Sequence, residues 1–466
     1  MNETIAAPAT VPGTGAISVV RVSGPEAFTV ADKVIRLASG TVAESPANSI
    51  RFGSALTEDG QVLDEVLVSV FRAPHSYTGE DSVEISCHAS RFVVEELMMR
   101  LCKAGARTAE PGEFTRRAFV NGKMDLAQAE AVADVISSTN SASLRVAMNQ
   151  LKGGYSKELA QIRESLVEMT SLLELELDFS EEDVEFADRS KLLGLLDASV
   201  AHIDSLTSSF RYGNALKNGV PVAIVGAANA GKSTLLNALL CDDRAIVSDI
   251  AGTTRDTVEE TLTIDGVLFR LIDTAGLRTT EDVVEKIGIE RSYSALSKAS
   301  VVLLLVDLSA GAHAAVTSIR DIVSRIDGRE QKLMVLLNKA DICVDNNIVS
   351  IINNFVSSID NSPLVMKLSA KTGSGLDELR KELVESQKAY SLNSDQTIVT
   401  NLRHFEALTK ASSSLSAVRN SISLGVTPDL IAEDLRQALH HLASIVGEVA
   451  PDEVLGVIFS RFCIGK

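Results

Sequence analysis

Cysteine is scarce in this chain: there are five in 466 residues, at positions 87, 102, 241, 343 and 463. No two stand at CxxC spacing, which excludes a zinc ribbon and a thioredoxin-like pair. A sparse, odd set of thiols fits a reducing compartment. Long apolar runs are missing too. The longest, VVLLLVDL at 301–308, falls far short of a membrane span, which needs about 20 apolar residues. No basic leader precedes an apolar stretch near Met1, so secretion is not expected and a cytoplasmic location is. Positive charge is the third shortage. Lys and Arg number 44 against 62 Asp and Glu, a net charge of −18. That is the opposite of what counterion release from nucleic acid favours. Any RNA contact would have to rest on a local basic patch or on a partner.

Against these absences, 45% of the residues are hydrophobic, enough for real cores. At ~150 residues per domain the length suggests about three domains. From about 219 to 384, apolar strand-like runs (VPVAIVG, VLFRLID, VVLLLVDL, LMVLLN, PLVMKLS) alternate with helical stretches. Such alternation predicts a mainly parallel sheet covered on both faces. Upstream, 125–210 reads as helical, and Leu159, Ile162, Leu166, Met169 and Leu173 keep the 3-4-3-4 spacing of a packed helix seam. DFSEEDVEFAD (178–188) interrupts that pattern as a solvated acidic linker. Helix resumes over 400–448, with Leu435, Leu439 and Leu442 on one face. The simplest architecture is one helical domain built from both flanks, with the α/β unit inserted into it. Residues 1–118 differ. The runs AISVVRVSG, VLVSVF and SVEISCH around a helix at 91–103 read as a separate α+β domain. No internal repeat or low-complexity segment is evident.

GAANAGKST (226–234) follows the strand-like VPVAIV and opens a helix, which is GxxxxGK[ST] in the setting it requires. Gly226 and Gly231 let backbone N–H groups wrap phosphates at a helix N-terminus. Lys232 reaches the β- and γ-phosphates and is a catalytic candidate, and Ser233 ligates Mg2+. Asn229, Ala230 and Thr234 complete the phosphate-binding stretch. DTAG (273–276) ends a later strand-like run: Asp273 serves the metal's outer shell and Gly276 the γ-phosphate, with Thr274 and Ala275 between them. NKAD (338–341) ends another, where Asn338 and Lys339 lead to Asp341. The Asp341 carboxylate accepts from both N1–H and the exocyclic amine of guanine, a donor pair that adenine does not present. SAK (Ser369, Ala370, Lys371) closes the base pocket. Four motifs in this order specify GTP rather than ATP. The fold class expected is therefore multidomain α/β: an N-terminal α+β domain, a discontinuous helical domain and an inserted P-loop GTPase (Ras-like) domain. The boundaries read 1–118, 119–217, 218–386 and 387–466.

The hydrolytic groups are unusual. Leu277 stands where many GTPases place a glutamine that orients the attacking water, and a hydrocarbon cannot hold water. Nearby carboxylates at Glu281, Asp282, Glu285 and Glu290 are alternatives. SDIAGTTRD (248–256) is a switch-I candidate in which Thr254 would complete the Mg2+ shell. An amide oxygen from Asn229, with carbonyls of this loop, could hold a monovalent cation that neutralises charge in the transition state.

Taken together, the chain resembles the MnmE (TrmE) family of tRNA-modification GTPases. The resemblance rests on ETIAAPATVPGTGAISVVRVSG, SYTGEDSVEISCH, EPGEFTRRAFVNGKMDLAQAEAVADVI, GAANAGKST, DIAGTTRD, DTAGLR and the terminal FCIGK, and it spans essentially the whole sequence. It implies a homodimer whose N-terminal domains associate, working with the flavoprotein MnmG in a heterotetramer. The implied activity is formation of an aminomethyl-type (carboxymethylaminomethyl) group at C5 of the wobble uridine of certain tRNAs. The one-carbon unit would come from 5-formyl- or methylene-tetrahydrofolate, with FAD and NADH on the partner and no membrane involved. By the same resemblance Arg21, Glu80, Lys123 and Lys466 match folate-contacting positions. Read alone, each would be an ordinary surface charge. Asn229, Ser248, Ile250 (through its carbonyl) and Thr253 match a K+ site, tying hydrolysis to K+-dependent association of G domains, and Glu285 is selected as the group that aligns water. Ala227 and Ala228 replace the Arg-Pro or Lys-Pro of many members, and Ala89 stands where Gly is common.

The resemblance also bears on Cys463. C-I-G-K is a prenylation box only in form, since Gly465 is not aliphatic, and no Cys or His neighbours it to form a metal cluster. As part of the family's hallmark ending, Cys463 is expected to take a direct or indirect part in the modification chemistry. Two alternative functions are a ribosome-assembly RNA-binding GTPase without modification chemistry, and a purely structural dimeric GTPase. The first often carries a KH-like GxxG loop, yet among 29 glycines no two lie three positions apart.

Overall fold

The computed structural model describes residues 3–178, 189–227, 229–240, 260–272, 296–326, 331–342, 346–359, 362–388, 397–449, 451–460, 462 and 465. The chain divides into two compact units. One comprises Met1–Ser137, Ala147–Val200 and Lys410–Lys466; the other comprises Ser138–Val146 and Ala201–Thr409.

The N-terminal elements are β1 (Ile5–Pro8), β2 (Ile17–Ser23), α1 (Ala27–Val34), β3 (Ile35–Leu37), β4 (Ser49–Leu56), β5 (Val62–Phe71), β6 (Ser82–His88), α2 (Arg91–Ala104) and β7 (Arg107–Thr108). The strands form a seven-stranded sheet in the order β3-β4-β5-β6-β2-β1-β7. Strand side chains alternate faces, and one face is a core. Val20 and Val22, Val66, Val68 and Val70, and Val83 and Ile85 are buried with Val30 and Val34 of α1 and Leu97 and Leu101 of α2. On the other parity, Ile50, Phe52 and Leu67 are exposed, with Phe52 and Leu67 directly paired. The sequence reading found β2, β5, β6 and α2; the short strands β1, β3 and β7 carry too few residues for a clear alternation, and β4 holds its large apolar residues Ile50 and Phe52 on the exposed face.

Helices follow: α3 (Glu113–Val120), α4 (Leu126–Ser137), α5 (Ser141–Leu151), α6 (Gly154–Asp178) and α7 (Arg189–Asn218). The 3-4-3-4 residues of α6 are all buried: Leu159, Ile162, Leu166, Met169 and Leu173. The acidic stretch after Asp178 lies outside the described residues.

The second unit holds β8 (Val220–Gly226), α8 (Lys232–Leu240), β9 (Glu260–Ile264), β10 (Val267–Ile272), β11 (Val301–Asp307), α9 (Ala312–Val323), β12 (Lys332–Asn338), α10 (Asn346–Ser357), β13 (Leu364–Lys367) and α11 (Leu376–Lys388). Its six-stranded sheet runs β13-β12-β11-β8-β10-β9, all parallel except β9. The two parities of each strand feed different cores. Leu303, Leu305, Met334 and Leu336 pack with α8 and α11; Leu304, Val306, Val335 and Leu337 pack with α9 and α10. Burial on both faces is why these strands read as unbroken apolar runs. Strand β9 escaped the sequence reading, although Asp265 and Gly266, both with positive φ, make the two-residue turn of a β9–β10 hairpin.

The chain closes with α12 (Leu402–Ser423), α13 (Pro428–Val446) and α14 (Asp452–Ser460). Helix α13 starts with Pro428 in its first turn and stops at left-handed Gly447, whose N–H bonds to the Ala443 carbonyl. Its buried face is Ile431, Leu435, Ala438, Leu442 and Ile445, packed against α6; Leu439 sits at the edge of that face, half-buried.

Candidate functional site

The phosphate loop sits at the C-terminal end of β8, a strand flanked by β10 on one side and β11 on the other. The chain leaves β8 towards β10 and then returns to β11 on the opposite side. The crevice between the ends of β8 and β11 is therefore a topological switch point, where open α/β sheets bind ligands. Gly226 has φ 152° and a side chain there would strike the Leu305 carbonyl; Gly231 has φ 101° and a side chain would strike the Asn338 amide. Asn229 is also left-handed, with φ 61°. The loop thus turns back on itself with its backbone close to β11 and β12, the conformation the glycines permit.

Lys232 opens α8, and its Nζ donates to the carbonyls of Gly226 and Ala227, both at 2.8 Å. The ammonium reaches back to the first two residues of the loop, and burial lowers its pKa. Ser233 and Thr234 follow in the first turn of α8, exposed at the end where the N–H groups point outward. Ala230 is buried.

The base-recognition motifs meet this loop through one side chain. Asn338, at the end of β12 and 3% exposed, donates from Nδ2 to the Ala230 carbonyl at 2.7 Å and accepts the Ala370 N–H at 3.0 Å. It therefore ties the phosphate loop, NKAD and SAK together. The next residue, Lys339, takes the left-handed φ of 63°, which turns the chain after the strand. Its Nζ donates to Asp307 Oδ2 at 2.6 Å. Burial acts to raise the Asp307 carboxyl, but Lys339 and the Ser309 donors outweigh it and hold it below the ordinary range. Asp307, unnoticed in the sequence, ends the apolar run of β11 as the acidic residue among hydrocarbons; that position is its signal. Asp341 and Lys371 are exposed beside the buried Ser369 and Ala370. Ala340 N–H bonds to the Leu368 carbonyl, so both base-side loops share one rim.

A second polar cluster lies in the N-terminal unit, around the loop 73–81. Arg21, on β2 opposite Glu84 of β6, donates to that carboxylate at 2.9 Å. Its guanidinium also lies over the Tyr77 and Phe114 rings, 5.1 and 5.5 Å from their centroids. Glu80 accepts from Ser23 Oγ and from Arg117 at 3.0 Å each. Lys123 donates to the Pro74 carbonyl at 2.9 Å, and its stem passes close to left-handed Gly79. Arg21, Glu80 and Lys123 thus border the same loop, and of the three only Lys123 is exposed. The sequence reading missed Arg117, which is 1% exposed and sits in the EFTRRAF helix.

Several expected residues lie outside the described ones: Ser248, Ile250, Thr253, Thr254, Asp273, Thr274, Ala275, Gly276, Glu285, Cys463 and Lys466. Near the last two, the described Phe462 and Gly465 are buried, Phe462 against Phe459 and Gly465 against the Pro8–Ala9 backbone. Among the other thiols, Cys87 is 3% exposed and burial pushes it up to about 11, so it is protonated and inert at neutral pH. Among the described residues no group of three or more His, Cys, Asp or Glu could hold a metal, and no helix is long and apolar enough to cross a membrane.

Two family models match this sequence: "GTP-binding protein TrmE N-terminus" over residues 4–123 and "MnmE helical domain" over residues 126–463. Among curated relatives, a "tRNA modification GTPase MnmE" of Parabacteroides distasonis is 46% identical, covering 99% of this chain and all of its own length. A protein of the same name from Bacteroides thetaiotaomicron is 47% identical, with both chains covered in full. Among solved structures, a point variant of Aquifex aeolicus Era bound to GDP·AlF4− is 28% identical, covering 41% of this chain and 65% of its own, with a TM-score of 0.28.

Proposed function

Because the chain belongs to the MnmE (TrmE) family of tRNA modification GTPases, we propose that it couples GTP hydrolysis to modification of C5 of the wobble uridine in tRNA. The chain is a GTPase. The observation that carries the nucleotide half of the reading is Asn338, which joins the phosphate loop to the guanine-specific motifs. The loop binds and orients the phosphates through its N–H groups, and Lys232 places a cation against the charge that develops on them. Asp341 selects guanine. Ser233, in the first turn of α8, suits Mg2+, with Thr254 as its switch-loop companion; the ion would neutralise phosphate charge. Asn229, turned out of helical geometry in the loop, suits a K+ site shared with Ser248, Thr253 and the Ile250 carbonyl. Glu285 aligns the attacking water.

The modification half of the reading takes a tetrahydrofolate, 5-formyl or methylene, at Arg21, Glu80, Lys123 and Lys466. A carboxylate pairs with the donor edge of a pterin, and cations suit a glutamyl tail. Cys463 takes part in the chemistry. FAD and NADH belong to a flavoprotein partner, MnmG, and the assembly is a heterotetramer built on a cytoplasmic homodimer. Support for the homodimer is the exposed apolar sheet face at Ile50, Phe52 and Leu67. The domains proposed are 1–118 for folate binding and dimerisation, 119–217 and 387–466 for the helical domain, and 218–386 for the G domain.

The decisive experiment is analysis of wobble-uridine nucleosides in tRNA from cells lacking this protein; an unchanged profile would reject the modification role and leave a GTPase of another kind. For the hydrolytic assignments, turnover should be much faster in K+ than in Na+. Glu285→Ala should keep GTP binding while slowing hydrolysis by ~10²-fold, the size of losing one positioned acid–base or water-orienting group. Equal rates in the two salts, or an unimpaired variant, would remove the corresponding assignment.

A further inference from the structure

Arg117 carries no role in the activity described so far, yet it is the largest fully buried side chain described in the structure. A guanidinium is rarely taken wholly out of water unless its charge and its donors are matched. Here two carboxylates match its charge and its two terminal nitrogens, while Nε is buried with no hydrogen-bond partner among the described residues. Arg117 donates to Glu113 Oε1 at 2.9 Å and, from its other terminal nitrogen, to Glu80 Oε2 at 3.0 Å. Glu113 does not depend on it alone. That carboxylate already has a two-pronged pair with Arg107, at 2.7 and 3.1 Å, and the Glu110 N–H at 2.9 Å. Burial works against the Glu113 charge, but Arg107, the Glu110 amide and Arg117 outweigh it and keep the carboxyl below the ordinary range. Arg107 continues the chain of alternating charge to the exposed Glu3. With Glu113 also matched by Arg107, the positive charge of Arg117 is shared with Glu80, the less buried of the two carboxylates.

The two oxygens of Glu80 are treated differently. Oε2 accepts from Arg117 and from Ser23 Oγ, and Ser23 is itself held by the buried hydroxyls of Thr78 and Ser82. Oε1 has only the longer Arg117 contact, at 3.3 Å, among the described residues. Glu80 keeps 17% of its side-chain surface, on the loop whose Tyr77 ring lies under Arg21 of β2. One edge of the carboxylate is therefore clamped from behind and the other is left for a donor arriving from outside.

We propose that Arg117, with Ser23, is the positioning residue that holds Glu80 in one fixed plane to receive a flat ligand edge bearing adjacent N–H donors. The proposal rests on the folate reading of this cluster and identifies the pterin amide and amine as that edge. A carboxylate on a free side chain would have to be ordered at each binding event, and that cost is removed when the fold orders it in advance. Lysine cannot reproduce the arrangement, because a point charge lacks the rigid fork that spans both carboxylates.

The test is binding of 5-formyltetrahydrofolate to the full-length protein by calorimetry, in the wild type, Glu80→Gln, Arg117→Gln, Arg117→Lys, Ser23→Ala and the double variants. Arg117→Gln should weaken binding about as much as Glu80→Gln, tenfold or more, the size typical of a charge-assisted contact. Combining the two should cost no more than Glu80→Gln alone, since both act on one interaction. Arg117→Lys should restore part of the affinity. A folate analogue lacking the pterin exocyclic amine should lose affinity for the wild type and not for Arg117→Gln. Additive losses, or wild-type binding by Arg117→Gln, would overturn the positioning role. Should the Arg117 variants fail to fold, Ser23→Ala decides: it should weaken binding several-fold and be silent beside Glu80→Gln, and an equal effect in both backgrounds would overturn the proposal. A wild type that does not bind the folate at all would instead reject the reading of the cluster, and the proposal with it.

Discussion

Asn338 and Ala230 lie 108 residues apart in the chain, and the amide of one closes on the carbonyl of the other. Removing that amide leaves a buried carbonyl and the buried Ala370 N–H without partners, at about 1–3 kcal/mol each. Asn338→Ala should therefore lower affinity for both GDP and GTP by at least tenfold, measured with a fluorescent guanine nucleotide. A variant that loses only GTP affinity would show that Asn338 acts elsewhere. Asp341 makes a different test, because its effect is on the base alone. Asp341→Asn replaces one acceptor by an amide N–H donor, which opposes the guanine amine and suits a base with a carbonyl there. The variant should lose GTP affinity and gain it for xanthosine triphosphate, read by competition; a loss towards both would mean that the residue supports the loop rather than the base.

At the scale of the element, the seam of α6 is the clearest case of pattern becoming packing. Leu166 is at the middle of five buried residues, and α6 lies against the apolar face of α13. Leu166→Ala should destabilise the protein by about 2–5 kcal/mol, from lost burial and the cavity left behind. The expected observation is a lower midpoint in chemical denaturation with nucleotide affinity unchanged, since every described nucleotide-site residue is in the other unit. Impaired nucleotide binding would show that the seam serves the site as well. The β9–β10 hairpin illustrates the opposite situation, a legible element passed over. Its Asp265–Gly266 turn is a strong local signal, but one edge strand is a weak one.

For the whole molecule, the governing fact is a net charge of −18. The tRNA proposed as substrate should then be held through few phosphate contacts on this chain. The affinity of the isolated protein for tRNA should fall with salt with a log–log slope of magnitude under roughly 3, since each neutralised phosphate adds somewhat less than one. Adding the proposed flavoprotein should steepen it. A steep slope for the isolated chain would reveal a basic surface that the composition conceals.

The GTPase identity was legible in the sequence because its motifs are local: glycines that permit a tight loop, a lysine at the helix start, an aspartate after an apolar strand. Periodicity likewise announced the buried parallel strands and the α6 seam, since the faces of a helix or strand repeat within a few residues. What the sequence could not say was which charges leave the surface. Arg21 and Glu80 look like ordinary solvated residues in the string, and Arg117 looks like one of two adjacent arginines in a helix. The β2–β6 register and the loop 73–81 bring Ser23, Glu80 and Arg117 together. That decision belongs to tertiary structure, because matching a buried charge requires partners that pattern along one element cannot specify. Glu113 stands at i−4 on the same helix, but Ser23 and Glu80 come from separate segments and meet Arg117 only when the sheet and its loops close.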